Sequence, residues 1–276
     1  MKKMKPSQAI IYICLCAFTV VQVYPLFWMF CFSLKNNDEI YGGNVAGLPK
    51  EWLWSNYADA WVNSGIAKYF MNTVIVTLAT VVLTVVFAAM AAYSIARMKW
   101  KLSRTALTVF LLGIMIPIHC ALLPLFLSYV KLGLLNTYWC LIIPYTAFAL
   151  PLAIYIFTGY MEGIPQEMEE SAFLDGCGVF HCFLSIILPM VKPVIATVTI
   201  LTFINTWNEF MLASIFITKS QMKTLTVGIQ EMVGQYTTNW GPIGAALVLA
   251  SLPTLIIYIV MSKQVQKSFI SGAVKG

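Results

Sequence analysis

Two clusters of polar side chains stand out in an otherwise apolar chain. The first is acidic: Glu162, Glu167, Glu169, Glu170 and Asp175 lie within MEGIPQEMEESAFLDGCGVFHCFLSIILP. The second is mixed: Thr199, Thr202, Asn205, Asn208 and Glu209 recur through TVTILTFINTWNEF, with Trp207 among them. Hydroxyls, amides and a carboxylate can hydrogen-bond a polar solute, and the Trp207 indole could stack on a sugar ring. Spacings of three and four put Thr202, Asn205 and Glu209 on one helical face. Neither cluster has the makings of catalysis. Only His119 and His181 are present, with no HExxH or zinc-type spacing. No G-x-x-x-x-G-K-[ST] loop occurs, so the chain cannot cradle ATP phosphates in the usual way. No nucleophile stands with a base and an orienting group. The chain is expected to be no enzyme, to bind no metal or cofactor, and to take its energy from a partner.

The elements that position these groups follow from composition. Hydrophobic residues make up 60% of the 276 and charged ones only 10%, with mean hydropathy +0.81. So few charges cannot coat a soluble fold of this size, and a disordered chain would be far less apolar. Six apolar runs, about 10–33, 72–96, 106–130, 138–160, 191–217 and 242–261, are long enough to cross a bilayer core of about 30 Å. Nothing alternates as barrel strands do. The expectation is an all-α integral membrane protein with six transmembrane helices, one domain over 1–276. The first run exceeds a signal-peptide core and has no A-x-A site after it, so it reads as a retained span. The seven cysteines show no CxxC spacing and read as buried free thiols.

Orientation follows from the basic residues. With a cytoplasmic N-terminus, the inner segments hold Lys2, Lys3, Lys5, Arg97, Lys99, Lys101, Arg104, Lys192, Lys263, Lys267 and Lys275. The outer segments hold Lys35, Lys50, Lys68, Lys131, Lys219 and Lys223. Eleven against six agrees with the positive-inside rule and puts both termini in the cytoplasm. The net charge of +6 therefore reports topology, not nucleic acid, because no basic face is gathered. In the outer loop, Trp52, Trp54, Tyr57 and Trp61 suit the headgroup level. In the second span, Thr73, Thr77, Thr80, Thr84, Ala88 and Ala91 return to one face, where small side chains permit close helix packing.

The acidic loop runs against the charge rule and needs another reason. Pro165 fits a first helical position, and Glu167, Glu169 and Glu170 sit near the positive end of the helix dipole. Gly176 is placed to close that helix in a left-handed cap. Ile164, Met168 and Ala172 recur at four-residue spacing beside the acids. A second helical stretch runs from Val179 to Leu188 and stops at Pro189. Anionic headgroups would repel such a hairpin, so a protein partner explains it better than lipid.

Glu170-Ser171-Ala172, three residues, Gly176, nine residues, then Ile186-x-Leu188-Pro189 resembles the EAA loop of ABC importer permeases. The family pattern is E-A-A-x-x-x-G-x9-I-x-L-P, and the spacing agrees throughout. Ser171 and Cys177 stand where alanines are usual. YPLFWMFCFSLKNNDEI, RMKWKLSR, IPQEMEESAFLDG, NTWNEF and the terminal GAVKG are similar to the shorter permease subunit of maltose-type carbohydrate importers. The resemblance spans essentially the whole chain. It implies a bacterial cytoplasmic-membrane protein with a second homologous permease subunit, a cytoplasmic ATPase dimer using ATP-Mg, and an extracellular or periplasmic sugar-binding protein. It also implies that Glu170, Ala172, Asp175 and Gly176 couple the loop to the ATPase. Ile186, Leu188 and Pro189 would pass its movement to the fifth span. Thr202, Asn205, Trp207, Asn208 and Glu209 are candidates for the sugar path, with packing or solvation as their plainer roles. An ion-coupled secondary carrier is the competing class, with Glu209 as its one clear ionisable candidate.

Overall fold

The computed structural model describes residues 6–98, 100–234 and 238–273. Lys2, Lys3, Lys5, Lys99, Lys275 and the last three residues of GAVKG lie outside them. Eight helices matter below: α1 (Pro6–Phe32), α2 (Ile66–Arg97), α3 (Ser103–Ile114), α4 (Leu122–Leu132), α5 (Trp139–Met161), α6 (Glu167–Leu174), α7 (Lys192–Trp207) and α8 (Trp240–Ala273). No strand occurs among the described residues. Packing gathers the chain into two compact units, Met1–Ala67 with Gly228–Leu252, and Lys68–Val227 with Pro253–Gly276.

Among the described residues, four helices are long and apolar enough to cross a membrane unaided: Ile10–Phe32, Ile66–Arg97, Trp139–Met161 and Trp240–Lys263. The count reaches six only if each of two bent pairs is one span. The third expected span, 106–130, is not one straight helix. It breaks at Pro117 between α3 and α4, and the two halves differ by 87°. Pro117 lacks a backbone donor and pushes Ile116 away from helical torsions, so hydropathy continues where the helix cannot. The fifth expected span, 191–217, is not one straight helix either. Its long helix ends at Trp207, a short one follows at Met211–Phe216, and α7 is joined at 76° to the stretch Val179–Met190 before it. The second span begins earlier than expected, at Ile66, because Lys68 and Tyr69 are tolerated in its first turn.

In the first unit, α1 is exposed from Ile10 through Phe27, which makes it a face for lipid or another subunit. Its C-terminal continuation is the opposite. Ser33, Leu34 and Lys35 are fully buried. The Lys35 ammonium donates to the carbonyls of Asn44 (2.6 Å), Val45 (3.3 Å) and Gly47 (2.7 Å). Asn56 then clasps the carbonyls of Ser33 and Lys35, each at 2.9 Å. The segment after α1 is thus a tied turn with exposed Trp52 and Trp54 on its rim.

In the second unit, α5 runs between two cores. One joins Ala88, Ala92 and Tyr93 of α2 to Ala153, Phe157 and Met161. The other joins Val76 to Cys140, Tyr145, Leu212 and Phe216. Lipid supplies no hydrophobic drive between helices, so such contacts rest on close packing by small residues. Gly113 illustrates the approach: a Cβ there would lie 2.9 Å from Pro151 Cγ of α5. The threonine face of α2 is a packing seam as expected, with Thr73, Thr77, Thr80, Thr84 and Ala88 all buried. Ala92 continues it in place of the half-buried Ala91. The cysteines are free, but Cys14, Cys16 and Cys120 are exposed, so burial holds only for Cys31, Cys140 and Cys182. The exposed three lie in apolar helical segments whose outer faces suit lipid.

Candidate functional site

The hairpin begins where α5 ends at Met161. Its first limb, α6, carries Glu167, Glu169 and Glu170 in its opening turn, where the helix dipole favours them. Gly176 closes that limb at φ +82°. The Gly176 amide donates to Phe173 O at 3.0 Å and the Cys177 amide to Ala172 O at 2.9 Å. Those two bonds are the Schellman pattern, which needs a left-handed residue at this position. The second limb, Val179–Met190, passes through a π-helical turn at Phe183–Ile187. It runs past Pro189 instead of stopping there. The freed turn ahead of the proline absorbs its missing donor, and the bend comes at Val191.

The two faces of the hairpin differ. Ala172 and Ile164 are buried, but Met168 is exposed, so the expected apolar stripe is interrupted. Its inward place is taken by Glu169, an acid the spacing did not single out. Arg97, at the end of α2, forms a buried ion pair with Glu169; the two side chains are 3% and 9% exposed. The same guanidinium donates to the carbonyls of Met161 (3.1 Å), Ile164 (2.7 Å) and Pro165 (3.2 Å). Left outward are Glu170, Asp175, Phe173 and Leu174, together with Val179 and Phe180. A hollow of about 320 Å³ runs beside them, lined by Arg97, Gln166, Glu169, Glu170 and Phe173 among others. Of the three residues expected to pass movement onward, Leu188 packs against the first core, Ile186 is half-buried and Pro189 is exposed. Ile187, which sequence reasoning passed over, is the fully buried one.

The second cluster is split by the early end of α7. Thr202 is buried, and Asn205 is exposed. Both line a groove of about 60 Å³ between α5 and α7. Trp207 is buried, stacked on Phe203 at 5.2 Å and edge-on to Phe70 at 5.4 Å, so its face is not open to a ring. Asn208 follows the helix and turns back to bond Ile204 O at 2.9 Å. Glu209 lies beyond the helix, so it shares no helical face with Thr202 and Asn205. Its carboxylate accepts from the Tyr145 hydroxyl and from the amides of Leu212 (2.8 Å) and Ala213 (3.2 Å), capping the short helix Met211–Phe216. The Glu209 carbonyl accepts from Thr226 Oγ1 at 2.8 Å. Glu209 is therefore a junction among three segments. No group of three or more metal-ligating side chains is found among the described residues.

Residues 84–271 match the family described as binding-protein-dependent transport system inner membrane component. The chain belongs to that family. A probable ABC transporter permease protein, YurM of Bacillus subtilis (strain 168), is 40% identical over 96% of this chain and 88% of its own length. The diacetylchitobiose uptake system permease protein NgcG of Streptomyces coelicolor is 34% identical over the same shares. Among solved structures, a bacterial ABC transporter involved in import of the acidic polysaccharide alginate superposes with TM-score 0.82. It covers 95% of this chain and 99% of its own at 22% identity, and so speaks for the fold. The permease is thus a multi-pass inner-membrane component of an ABC importer, not an enzyme and not an ion-coupled carrier. Family membership brings with it a partner permease, an ATPase and a binding protein.

Proposed function

We propose that this permease forms half of the translocation path for a sugar or oligosaccharide delivered by a solute-binding protein. In this reading the hairpin 161–189 sits in a cleft of a cytoplasmic ATPase dimer, which binds ATP-Mg, while the permease binds no cofactor. The whole chain, 1–276, serves as one transmembrane domain with both termini cytoplasmic. The docking reading is carried by the hairpin's outward face, where Glu170 and Asp175 stand beside exposed Phe173 and Leu174. Such a face, apolar and acidic together, suits a protein cleft better than anionic lipid.

The sugar reading is supported by the diacetylchitobiose permease among the relatives. Asn205 and Asn208, both exposed, are the candidates this reading keeps for contact with a solute. The groove beside Asn205 is about 60 Å³, well under the roughly 300–1,000 Å³ of ligand pockets, which favours a path completed by a homologous second permease. The test is co-purification with the partner subunits, followed by ATP hydrolysis with binding protein across a panel of sugars. Stimulation by a sugar-loaded binding protein is expected; stimulation only by a non-sugar solute would reassign the substrate.

Topology has its own check. A reporter fused after Lys101 should be cytoplasmic and one after Trp54 external, following the basic asymmetry. The opposite labelling would take the hairpin away from the ATPase.

A further inference from the structure

Among the four long helices, α1, α5 and α8 contain proline, and α2 alone has neither proline nor glycine over Ile66–Arg97. Sharp kinks in helices arise mostly at proline, at glycine–serine pairs or at π-bulges, and α2 runs as one continuous α-helix with none of these. It is tied at both ends. At one end Arg97 holds the carbonyls of Met161, Ile164 and Pro165 and the Glu169 carboxylate, gripping the root and first limb of the hairpin together. At the other, Asn72 Nδ2 donates to the carbonyls of Gln221 (3.0 Å) and Lys223 (2.9 Å), and its Oδ1 accepts from the Tyr138 hydroxyl at 2.8 Å. Thr73 Oγ1 accepts from the Leu225 amide at 2.7 Å. The rise from Asn72 to Arg97 is about 37 Å, more than the hydrocarbon core of a bilayer.

Between those clamps the buried hydroxyls of Thr77, Thr80 and Thr84 make no hydrogen bond to the chain. The seam is therefore close-packed but carries no polar latch from these threonines to resist a small shift along the helix. Polar ties at the ends and apolar contact between them describe a rod.

We infer that α2 carries the displacement of the hairpin to the segment 221–225, with Arg97 and Asn72 as positioning residues at its two ends. The inference rests on the docking reading above and deepens it. Movement leaves the hairpin by α2 as well as by the second limb into α7. It arrives beside Thr226, whose hydroxyl holds the Glu209 carbonyl, and so reaches the junction that ends α7.

The test uses the complete importer reconstituted with its ATPase and binding protein. A genetically encoded fluorescent amino acid is placed at Gln166, beside the hairpin, or at Gln221, at the far end; both are exposed. Both labels should respond to ATP in the otherwise unaltered permease. In Arg97→Gln the Gln166 label should still respond and the Gln221 label should lose most of its signal. Uptake should fall about tenfold while ATP hydrolysis stays within about threefold and the ATPase still co-purifies. Arg97→Lys should recover part of the loss. Asn72→Ala, which leaves the hairpin untouched, should separate the two labels in the same way and serves if Arg97→Gln does not assemble. Full responses of both labels in both variants, or uptake and hydrolysis falling in proportion, would overturn the rod. A Gln166 label silent in the unaltered permease would overturn the docking reading, and the rod with it.

Discussion

Gly176→Val is expected to leave the permease in the membrane at near-normal abundance and to abolish its docking to the ATPase. The cost is torsional, not steric. A Cβ at Gly176 would meet nothing within 4 Å, but the backbone there stands at φ +82°. A β-branched residue resists that conformation by about 1–2 kcal/mol. Relaxing it breaks the two cap bonds to Phe173 and Ala172 and re-aims the second limb. The penalty is small beside a packed bundle and large for two limbs that must enter one cleft together. Gly176→Asn should keep part of the function, because asparagine visits left-handed torsions more readily. Glu170→Lys should match the loss by reversing a charge on the exposed face without touching the buried Glu169. Membrane abundance, ATPase co-purification and uptake are measured on the same preparations. Normal docking and uptake in both Gly176→Val and Glu170→Lys would remove the hairpin from the ATPase interface.

Glu209→Ala should unfold its neighbourhood before it says anything about a solute. The carboxylate takes the Tyr145 hydroxyl and two amides, and Tyr145 is buried. Each donor left unpaired away from water costs about 1–3 kcal/mol. The expected result is a clear fall in thermal stability of the detergent-purified protein. Glu209→Gln, which keeps one acceptor oxygen, should fall less. Asn205→Ala, at an exposed site, should instead alter uptake kinetics with stability unchanged. A rise in the uptake KM for Glu209→Ala at unchanged melting temperature would return Glu209 to the sugar path.

What was legible in the chain was local or periodic. The left-handed turn at Gly176 follows from a glycine after an acidic-start helix. The seam of Thr73 to Thr84 follows from three- and four-residue spacing, and α5 from an apolar run that is also one helix. Two kinds of information were not legible. Hydropathy counts apolar residues but is blind to continuity, so Pro117 breaks the run 106–130 and the end of α7 at Trp207 breaks the run 191–217. Partner choice between distant residues leaves no local trace. In the sequence Arg97 and Lys35 count only as basic residues reporting topology, yet both side chains are buried among acceptors from other segments. Glu169 was one acid among five until Arg97 selected it. Glu209 lost its helical face because the helix stopped two residues before it, a boundary set by contacts to Tyr145 and the next helix.

The bends of 87° and 76° bear on how the protein is made. A straight apolar helix can leave the insertion machinery alone and complete, since all its backbone groups are paired within it. A broken one cannot rest in lipid, because backbone freed at the break must find protein partners there. Both broken segments pack on α5, which follows the first in the chain and precedes the whole of the second. The segment around Pro117 must therefore wait, sheltered or provisionally straight, until α5 arrives to receive it. The segment around Val191 meets α5 already in place. Insertion in chain order and folding in chain order thus part company at the third span.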